Sequence, residues 1–377
     1  MKKIYIFGAG NNGKKLLAYL ERVGNQEVTA FIDNNIQNVE IDGLECISVE
    51  EAIRRGAQSE IIFVSPEKSY DIEKQLEDNG FKCVFCTNEW MHKKEFCFPI
   101  TLKKSDYCRV KPFNHYESPY PDIKKVHENE KAFFDIKKEI LDIDFNVDNQ
   151  FELIDQMKNL DLPQWENSDR NKDYRYFYTD QWFGKGSADA LFYMIRILQP
   201  KKIIEVGSGF STAVMLDANE YFFNNSIEIV SIEPRANRLK SILKSTDNIE
   251  IYEKEVQEMP ISLFLTLKEN DILFIDSSHV SRIDSDVNFL FFEVLPRLKK
   301  GVYIHFHDIF YPFVYPKEWV YEGRAYNEMY ILRAFLMNND KYEIKLFGHM
   351  LECEYRNRIP EKLRGCGAGS LWIRKKG

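Results

Sequence analysis

The sequence lacks the features typical of membrane, nucleic-acid-binding, disulfide-bonded and secreted proteins. No apolar run approaches the roughly 18 residues that a membrane-spanning helix needs, so we expect no membrane partner. Its 59 acidic residues outnumber its 51 basic ones, and the net charge of −8 argues against the basic face of a nucleic-acid-binding protein. Seven cysteines, an odd number in 377 residues, favour free thiols in a reducing compartment. The N-terminus passes from two lysines straight into an apolar run, which is not typical of a secretion signal, so we expect a cytoplasmic protein.

A glycine turn in the carboxyl-terminal half organises the rest of the chain. The apolar residues 203–206 predict a short buried strand, Gly207-Ser208-Gly209 follows at once, and residues 213–218 have a helical pattern. This order places a ligand at the carboxyl edge of a parallel sheet, with glycines that let the backbone approach the ligand closely. No Gly-Lys-Ser/Thr sequence follows, which excludes a phosphate loop. Glu205 stands at the end of the strand, where its carboxylate could meet a cationic group.

Polar residues follow the ends of the next predicted strands. The second strand of this half ends at Glu233, whose carboxylate could accept hydrogen bonds from two adjacent hydroxyl groups. The fourth strand ends at Asp276, with His279 shortly after it. In the fifth strand His305 and His307 alternate, although a buried parallel strand should be apolar on both faces. Because such departures tend to mark functional sites, we expect acid-base or metal chemistry at this edge of the sheet.

These residues resemble the motifs of class I S-adenosylmethionine-dependent methyltransferases. Glu205 with Gly207-Ser208-Gly209 is similar to motif I, in which the glycine turn lies against the methionine part of the cofactor. The resemblance implies that Glu233 holds the ribose hydroxyls of S-adenosylmethionine. It also implies that Val256 and Gln257, which follow the third strand, contact the adenine ring and its amino group.

The resemblance extends to the metal-dependent O-methyltransferases of this class. They place one Asp after the fourth strand and an acidic or amide pair after the fifth, and they bind Mg²⁺ beside the methyl acceptor. Asp276 matches the first position and His307-Asp308 the second, although an imidazole favours a softer ion than Mg²⁺. Asp276, His307 and Asp308 are therefore candidate metal ligands, and Asp276 is also a candidate cofactor contact. The alternatives are a metal-free site, in which His279 or His307 is the general base beside Asp308, and a purely structural cluster.

The residues after the fifth strand are unusually aromatic. Eight Phe, Tyr and Trp side chains lie between residues 309 and 330, stiffened by Pro312 and Pro316. Such a segment could be a lid or a platform for sugar rings, and it could equally be an interface or a flap over the core.

The N-terminal residues carry a second glycine motif. Gly8, Gly10 and Gly13 form G-x-G-x-x-G between an apolar run and a helical pattern, and Asp33 ends the next predicted strand 20 residues after Gly13. This is the context of a dinucleotide-binding fingerprint, with an acid placed for ribose hydroxyls. The unit has about five predicted strands and resembles the Rossmann-like N-terminal domain of some bacterial sugar acyltransferases and sugar-modifying methyltransferases. That resemblance implies binding of a nucleotide or nucleotide sugar, and a docking role is the alternative.

The sequence as a whole predicts an α/β protein with two Rossmann-like domains. Residues 1–97 form the nucleotide-binding-type domain, residues 98–175 a helical connector, and residues 176–377 a seven-stranded class I methyltransferase domain. The favoured function is O-methylation of a sugar, nucleotide sugar or other small polar metabolite by S-adenosylmethionine, with Mg²⁺ or a softer divalent ion as a further cofactor. The protein could be a homo-oligomer. Two alternative functions compete with O-methylation. One is an NAD-dependent oxidoreductase that acts through the first domain, and the other is a non-catalytic scaffold, against which the His and Asp cluster argues.

One cysteine pair is a weak candidate for zinc. Cys83 and Cys86 have C-x-x-C spacing, and Cys97, Cys108, His92 and His115 follow at irregular intervals. Because the pair falls inside a predicted strand, its side chains would not converge easily, and free cysteines are favoured.

Overall fold

The chain folds into two compact units, residues 1–111 and 112–377. The computed structural model describes residues 3–24, 27–65, 70–86, 118–135, 139–166, 174–179 and 182–377. Within these ranges no helix is long and apolar enough to cross a membrane. The predicted domain boundaries near residues 97 and 175 stay predictions, and Cys97, Cys108, His92 and His115 lie outside the described residues.

Among the described residues of the first unit, a six-stranded sheet is accompanied by three helices. Its strands are β1 (Ile4–Phe7), β2 (Val28–Ile32), β3 (Val39–Ile41), β4 (Leu44–Ile47), β5 (Ile61–Val64) and β6 (Cys83–Cys86), in the order β3-β4-β2-β1-β5-β6. Its helices are α1 (Asn11–Gly24), α2 (Val49–Arg54) and α3 (Tyr70–Asp78), with a 3-10 turn at Ala57–Ser59. All neighbouring strands are parallel except β3, which runs antiparallel to β4. The sequence did not predict β3, because its three residues are largely exposed and form no apolar run.

The second unit is built on a seven-stranded sheet. Its strands are β7 (Lys202–Val206), β8 (Glu228–Ile232), β9 (Ile249–Tyr252), β10 (Ile272–Ile275), β11 (Tyr303–His307), β12 (Tyr342–Phe347) and β13 (Ser370–Lys375). They lie in the order β12-β13-β11-β10-β7-β8-β9, and β13 runs antiparallel to both of its neighbours. This is the sheet of class I methyltransferases, so the predicted fold is confirmed.

The described helices of the second unit lie between residues 123 and 355. They are α4 (Ile123–Glu128), α5 (Glu130–Phe133), α6 (Val147–Met157), α7 (Lys185–Leu198), α8 (Phe210–Phe223), α9 (Asn237–Ile242), α10 (Ile261–Phe264), α11 (Asp286–Phe289), α12 (Lys317–Tyr321), α13 (Glu328–Leu336) and α14 (Gly348–Tyr355). A π-helical turn at Leu290–Val294 follows α11, and 3-10 turns lie at Val256–Glu258, Leu295–Arg297, Arg356–Arg358 and Glu361–Leu363. The central strands and the inner faces of α7 and α8 are almost fully buried in one apolar core.

A buried ion cluster ties the segment before α7 to α8. The Arg175 guanidinium lies 3.0 Å from Asp217 Oδ1 and also pairs with Asp247. Trp165 Nε1 donates to Asp217 Oδ2 at 3.1 Å, and the amide of Arg175 donates to Asp217 Oδ1. Burial raises the pKa of the Asp217 carboxyl group to about 6, against the opposing effect of these donors. The cluster fixes residues 174–178 against the helix that follows the glycine turn.

Candidate active site

The glycine turn after β7 joins the ends of three strands. Gly207 has a φ of +79°, and a Cβ at this position would lie 1.9 Å from the carbonyl oxygen of Asp276. Only glycine fits, because it tolerates both the left-handed backbone and the close approach. The Gly207 amide donates to the Ile232 carbonyl at 3.0 Å, and the Asp276 amide donates to the Val206 carbonyl at 2.9 Å. The carboxyl ends of β7, β8 and β10 therefore meet at this turn.

Glu233 lies beside the glycine turn, as its position after β8 predicts. Its Oε2 accepts from the Ser208 amide at 3.2 Å, and its Oε1 accepts from the Arg235 amide at 2.8 Å. The Ser208 hydroxyl is buried and has no hydrogen-bond partner among the described residues. The turn thus offers a half-buried carboxylate and an unused hydroxyl on neighbouring residues.

Glu205 is buried at the base of the glycine turn. Its side chain is fully buried, and its two carboxyl oxygens accept from the hydroxyls of Ser211 at 2.6 Å and Thr212 at 2.5 Å. Burial raises the pKa of this carboxyl group to about 8, although the two hydroxyl donors oppose the shift. Glu205 therefore supports the first turn of α8 from inside, and direct contact with a ligand stays a prediction.

Val256 and Gln257 follow β9 in a 3-10 turn. The Val256 side chain is buried, and Gln257 Nε2 donates to Glu255 Oε2 at 2.6 Å and to the Asp284 carbonyl at 3.0 Å. Gln257 Oε1 is buried without a hydrogen-bond partner among the described residues. This side chain is held in place by its amide nitrogen, which leaves its oxygen available.

A cluster of two carboxylates and one imidazole forms at the ends of β10 and β11. One ligand atom from each of Asp276, His279 and Asp308 lies within 4.8 Å of the others. His279 Nε2 is 3.4 Å from Asp276 Oδ1 and 3.5 Å from Asp308 Oδ2. Both His279 and Asp308 have a positive φ, +61° and +58°, which is uncommon for residues other than glycine and is concentrated at functional sites. We call Asp276, His279 and Asp308 the acidic cluster.

His307 stands beside the acidic cluster and not within it. Its Nε2 is 3.5 Å from Asp308 Oδ1, and its ring packs 5.2 Å from that of Phe183. The sequence predicted Asp276, His307 and Asp308 as metal ligands. In the structure His279, and not His307, lies close to both carboxylates. His305 lies deeper, stacked 4.0 Å from the Phe274 ring, and burial holds its pKa well below the ordinary value. Its Nε2 is 3.1 Å from the Ser370 hydroxyl.

A carboxyl group that the sequence analysis missed completes the surroundings of His279. Glu328, the first residue of α13, places Oε2 at 2.8 Å from His279 Nδ1. Burial lowers the pKa of His279, but the hydrogen bonds with Asp276 and Glu328 outweigh it and hold this pKa well above the ordinary value. Burial likewise raises the pKa of Asp276, but His307 and His279 outweigh it and lower this pKa. The signal in the sequence is only an acid in the first turn of a helix.

The aromatic segment after β11 serves both the core and the site. Phe313 and Tyr315 are buried, and the Tyr315 hydroxyl accepts from the Met329 amide at 3.0 Å. Tyr326 is half-buried, with its ring centre 5.0 Å from that of His279, and the Trp319 ring stands at right angles to Tyr326 at 5.8 Å. Part of the segment therefore forms an aromatic wall next to the acidic cluster.

The glycine motif of the first unit lines its own cleft. The cleft has a volume of about 280 Å³ and is lined by Gly8, Gly10, Asn11, Asn12, Gly13, Asp33 and Ser65. A Cβ on Gly13 would lie 1.9 Å from the Gly8 carbonyl oxygen, so α1 starts in direct contact with the turn after β1. Asp33 Oδ2 accepts from the Ala9 amide at 2.9 Å, and its Oδ1 accepts from two amides that follow it. The four predicted residues of this motif, Gly8, Gly10, Gly13 and Asp33, are thus brought together.

Comparisons with known proteins agree with the strand order. Residues 204–309 match a family described as a methyltransferase domain, and residues 1–83 match one described as C2185-like, N-terminal. The second unit therefore contains a methyltransferase domain, and the protein is an enzyme of that class. An uncharacterized protein of Archaeoglobus fulgidus is 35% identical over 171 residues, which are 44% of this chain and 76% of that protein. The chain belongs to the same family as this archaeal protein.

Solved structures of methyltransferases also resemble the chain. The SAH-bound methyltransferase PaMTH1 of Podospora anserina is 16% identical, with a TM-score of 0.36 over 72% of this chain and 100% of that chain. The O-methyltransferase TomG of Streptomyces achromogenes, solved in complex with SAM, is 13% identical. Its TM-score is 0.32 over 67% of this chain and 96% of that chain. The fold assignment rests on the order and direction of the seven strands and not on these superpositions.

Proposed function

We propose that the second unit transfers a methyl group from S-adenosylmethionine to a hydroxyl group of a small polar acceptor, with a divalent cation bound at the acidic cluster. The observation that carries the proposal is the contact between Gly207 and the carbonyl of Asp276. This contact puts the turn expected to hold the cofactor next to Asp276, which is expected to hold the cation beside the acceptor. The methyltransferase family match covers the strands that carry both.

The cofactor site fits S-adenosylmethionine in chemical terms. The cofactor offers ribose hydroxyls and an adenine amino group as hydrogen-bond donors. Glu233 presents carboxylate oxygens after β8, and Gln257 Oε1 and the Ser208 hydroxyl are buried polar atoms without a partner among the described residues. Because buried polar groups are normally hydrogen-bonded, these atoms favour a polar ligand between β7, β8 and β9.

The acidic cluster also fits a divalent cation. Carboxylate oxygens suit Mg²⁺ and Mn²⁺, and an imidazole shifts the preference toward softer ions. Asp276, His279 and Asp308 would hold the ion, which when bound supplies positive charge beside the acceptor hydroxyl. The chain's own contribution is to align the acceptor oxygen with the methyl group and the sulfur, since positioning is the main source of rate in such a transfer.

The acceptor that we favour is a carbohydrate, either a sugar or a nucleotide sugar. The aromatic wall of Trp319 and Tyr326 next to His279 supports this choice, because flat aromatic faces suit the apolar faces of sugar rings. A cytoplasmic location belongs to the same proposal and rests on the sequence alone.

An acceptor screen with matched variants tests the proposed reaction. The protein is incubated with S-adenosylmethionine and a panel of sugars and nucleotide sugars, with Mg²⁺, with Mn²⁺ or with a chelator, and methylated products are detected by mass spectrometry. We expect a product that requires the ion and that Asp276→Asn abolishes. Glu269→Gln, an exposed acid paired with Arg374, should behave like the native protein. Turnover that survives the chelator would indicate a histidine base in place of the metal. Near-normal turnover of Asp276→Asn would indicate that the cluster has only a structural role.

The cleft of the first unit supports a second, separate proposal. We infer that Gly8, Gly10, Gly13 and Asp33 bind a nucleotide-containing ligand, because they converge on a cleft at the start of α1, where a helix dipole favours phosphate. A ligand that binds only the folded protein raises its stability. Thermal unfolding with NAD, NADP and nucleotide sugars should therefore find a stabilising ligand.

A variant pair separates this cleft from unspecific effects. Asp33→Ala should remove the stabilisation, and Asp42→Ala, an exposed acid near Lys14, should keep it. Reduction or oxidation of a bound NAD would favour the oxidoreductase alternative. Flat results over the whole panel would favour a docking role.

A further inference from the structure

Glu328 is a buried carboxyl group to which the proposed reaction gives no role. Its side chain is 1% exposed, yet both oxygens have partners in the loop after β10. Oε2 lies 2.8 Å from His279 Nδ1, and Oε1 accepts from the Ser277 hydroxyl at 3.0 Å. Acidic side chains are almost never fully buried unless they are paired, so the arrangement around this one is specific.

The main chain holds the same two segments together. The amides of Asn327 and Glu328 donate to the His279 carbonyl at 2.9 Å and 3.1 Å, and Asn327 Oδ1 accepts from the Ser281 amide at 2.6 Å. Glu328 is also in the first turn of α13, where the helix dipole favours a negative side chain. The start of α13 is therefore a rigid support for the His279 ring and not a neighbour that happens to touch it.

This support determines which nitrogen of His279 can give up its hydrogen to accept a cation at the acidic cluster. A carboxyl oxygen at 2.8 Å accepts a hydrogen from Nδ1, and in a neutral imidazole the other nitrogen, Nε2, is then the acceptor. Nε2 is the atom that lies 3.4 Å from Asp276 Oδ1 and 3.5 Å from Asp308 Oδ2. Outer carboxylates that hold a histidine in this way orient metal-binding imidazoles in proteins generally.

We infer that Glu328, braced by Ser277, is a positioning residue that fixes the hydrogen of His279 on Nδ1 and presents Nε2 to a divalent cation shared with Asp276 and Asp308. This inference rests on the proposed function for the cation. The Nδ1 hydrogen does not depend on the cation and can be tested without it.

Titration of Mn²⁺ into the full-length protein by calorimetry tests the effect on the ion. Glu328→Gln keeps the shape of the side chain but removes its charge, and we expect it to weaken Mn²⁺ binding by about 10- to 100-fold. Ser277→Ala should weaken binding less and in the same direction. The matched control is Asp189→Asn, which changes a buried acid paired with Lys185 on α7 and should leave the Mn²⁺ affinity unchanged. A folded Glu328→Gln protein that binds Mn²⁺ within about twofold of the native affinity overturns the inference.

Nitrogen-15 spectra of the histidine rings give a readout that needs no ion. The His279 signals are assigned by their loss in His279→Gln, and the spectra are recorded at a pH high enough for the ring to be neutral. There we expect the single ring hydrogen to be on Nδ1 in the native protein and to lose that preference in Glu328→Ala. If the native protein binds no Mn²⁺, the metal part of the proposed function is wrong. The nitrogen-15 spectra alone would then test the role of Glu328. A native Nδ1 without hydrogen overturns the inference, whether or not Glu328→Ala folds.

Discussion

Replacing Glu205 by glutamine should remove the pH dependence of stability that its burial creates. Burial raises the pKa of this carboxyl group from 4.5 to about 8, so the folded chain keeps the proton over a range in which the unfolded chain has lost it. The stability linked to this proton is fully present below pH 4.5 and is lost as the pH rises through about 8. Each pH unit well within this window lowers the free energy of unfolding by about 1.4 kcal/mol, and the slope flattens near the upper pKa. Between about pH 6 and about pH 8 the native protein should lose about 2 kcal/mol through this group.

Urea denaturation followed by tryptophan fluorescence measures this difference. Trp165 and Trp372 are fully buried in the second unit and report on its unfolding. Glutamine is close in shape to glutamate and can pair with Ser211 and Thr212, so Glu205→Gln should gain about 2 kcal/mol over the native protein as the pH rises from about 6 to about 8. Glu228→Gln, an exposed acid at the start of β8, is the control. Parallel pH profiles of the native protein and Glu205→Gln would refute this account of the buried carboxyl group.

Two further substitutions test how the turn and its support are built. Gly207→Ala should lower stability by more than the roughly 1–2 kcal/mol of a left-handed backbone, because the new methyl group meets the Asp276 carbonyl, and cofactor binding by calorimetry should weaken with it. Unchanged stability and affinity would contradict the close contact between this turn and the end of β10. Asp217→Asn should cost about 3 kcal/mol in urea denaturation, since it leaves Arg175 buried with an incomplete set of partners. Glu220→Gln, at a half-exposed partner of the same arginine, should cost less than about 1 kcal/mol, and equal losses in both variants would disprove the distinction.

The parts of the site that follow strand ends could be predicted from the sequence. Gly207, Glu233 and Asp276 each come directly after an apolar run, and parallel strands bring their carboxyl ends to one edge of a sheet. The same reasoning placed Asp33 beside Gly8 in the first unit. Local sequence patterns were sufficient here, because the fold itself supplies the proximity.

The residues around His279 could not be predicted from local sequence patterns. Glu328 is 49 positions away from His279, and α11, β11 and the aromatic segment all lie between them in the chain. His307 continues the alternation of β11, so its ring lies near that of His305, whereas Asp308 leaves the strand with a positive φ and joins the acidic cluster. The sequence also did not predict that Glu205 accepts from Ser211 and Thr212, because a polar residue in a buried strand looks the same in the sequence whether it faces a ligand or a helix.

Binding of S-adenosylmethionine to the full-length protein tests the central claim most directly. We expect calorimetry to detect binding to the native protein and a loss of at least about tenfold in Glu233→Ala, since a hydrogen bond to a charged group contributes about 1.5–3 kcal/mol. Glu228→Ala changes an exposed acid at the opposite end of the same strand and should leave the affinity unchanged. No binding to the native protein, or full affinity in Glu233→Ala, would contradict the assignment of this sheet edge as the cofactor site.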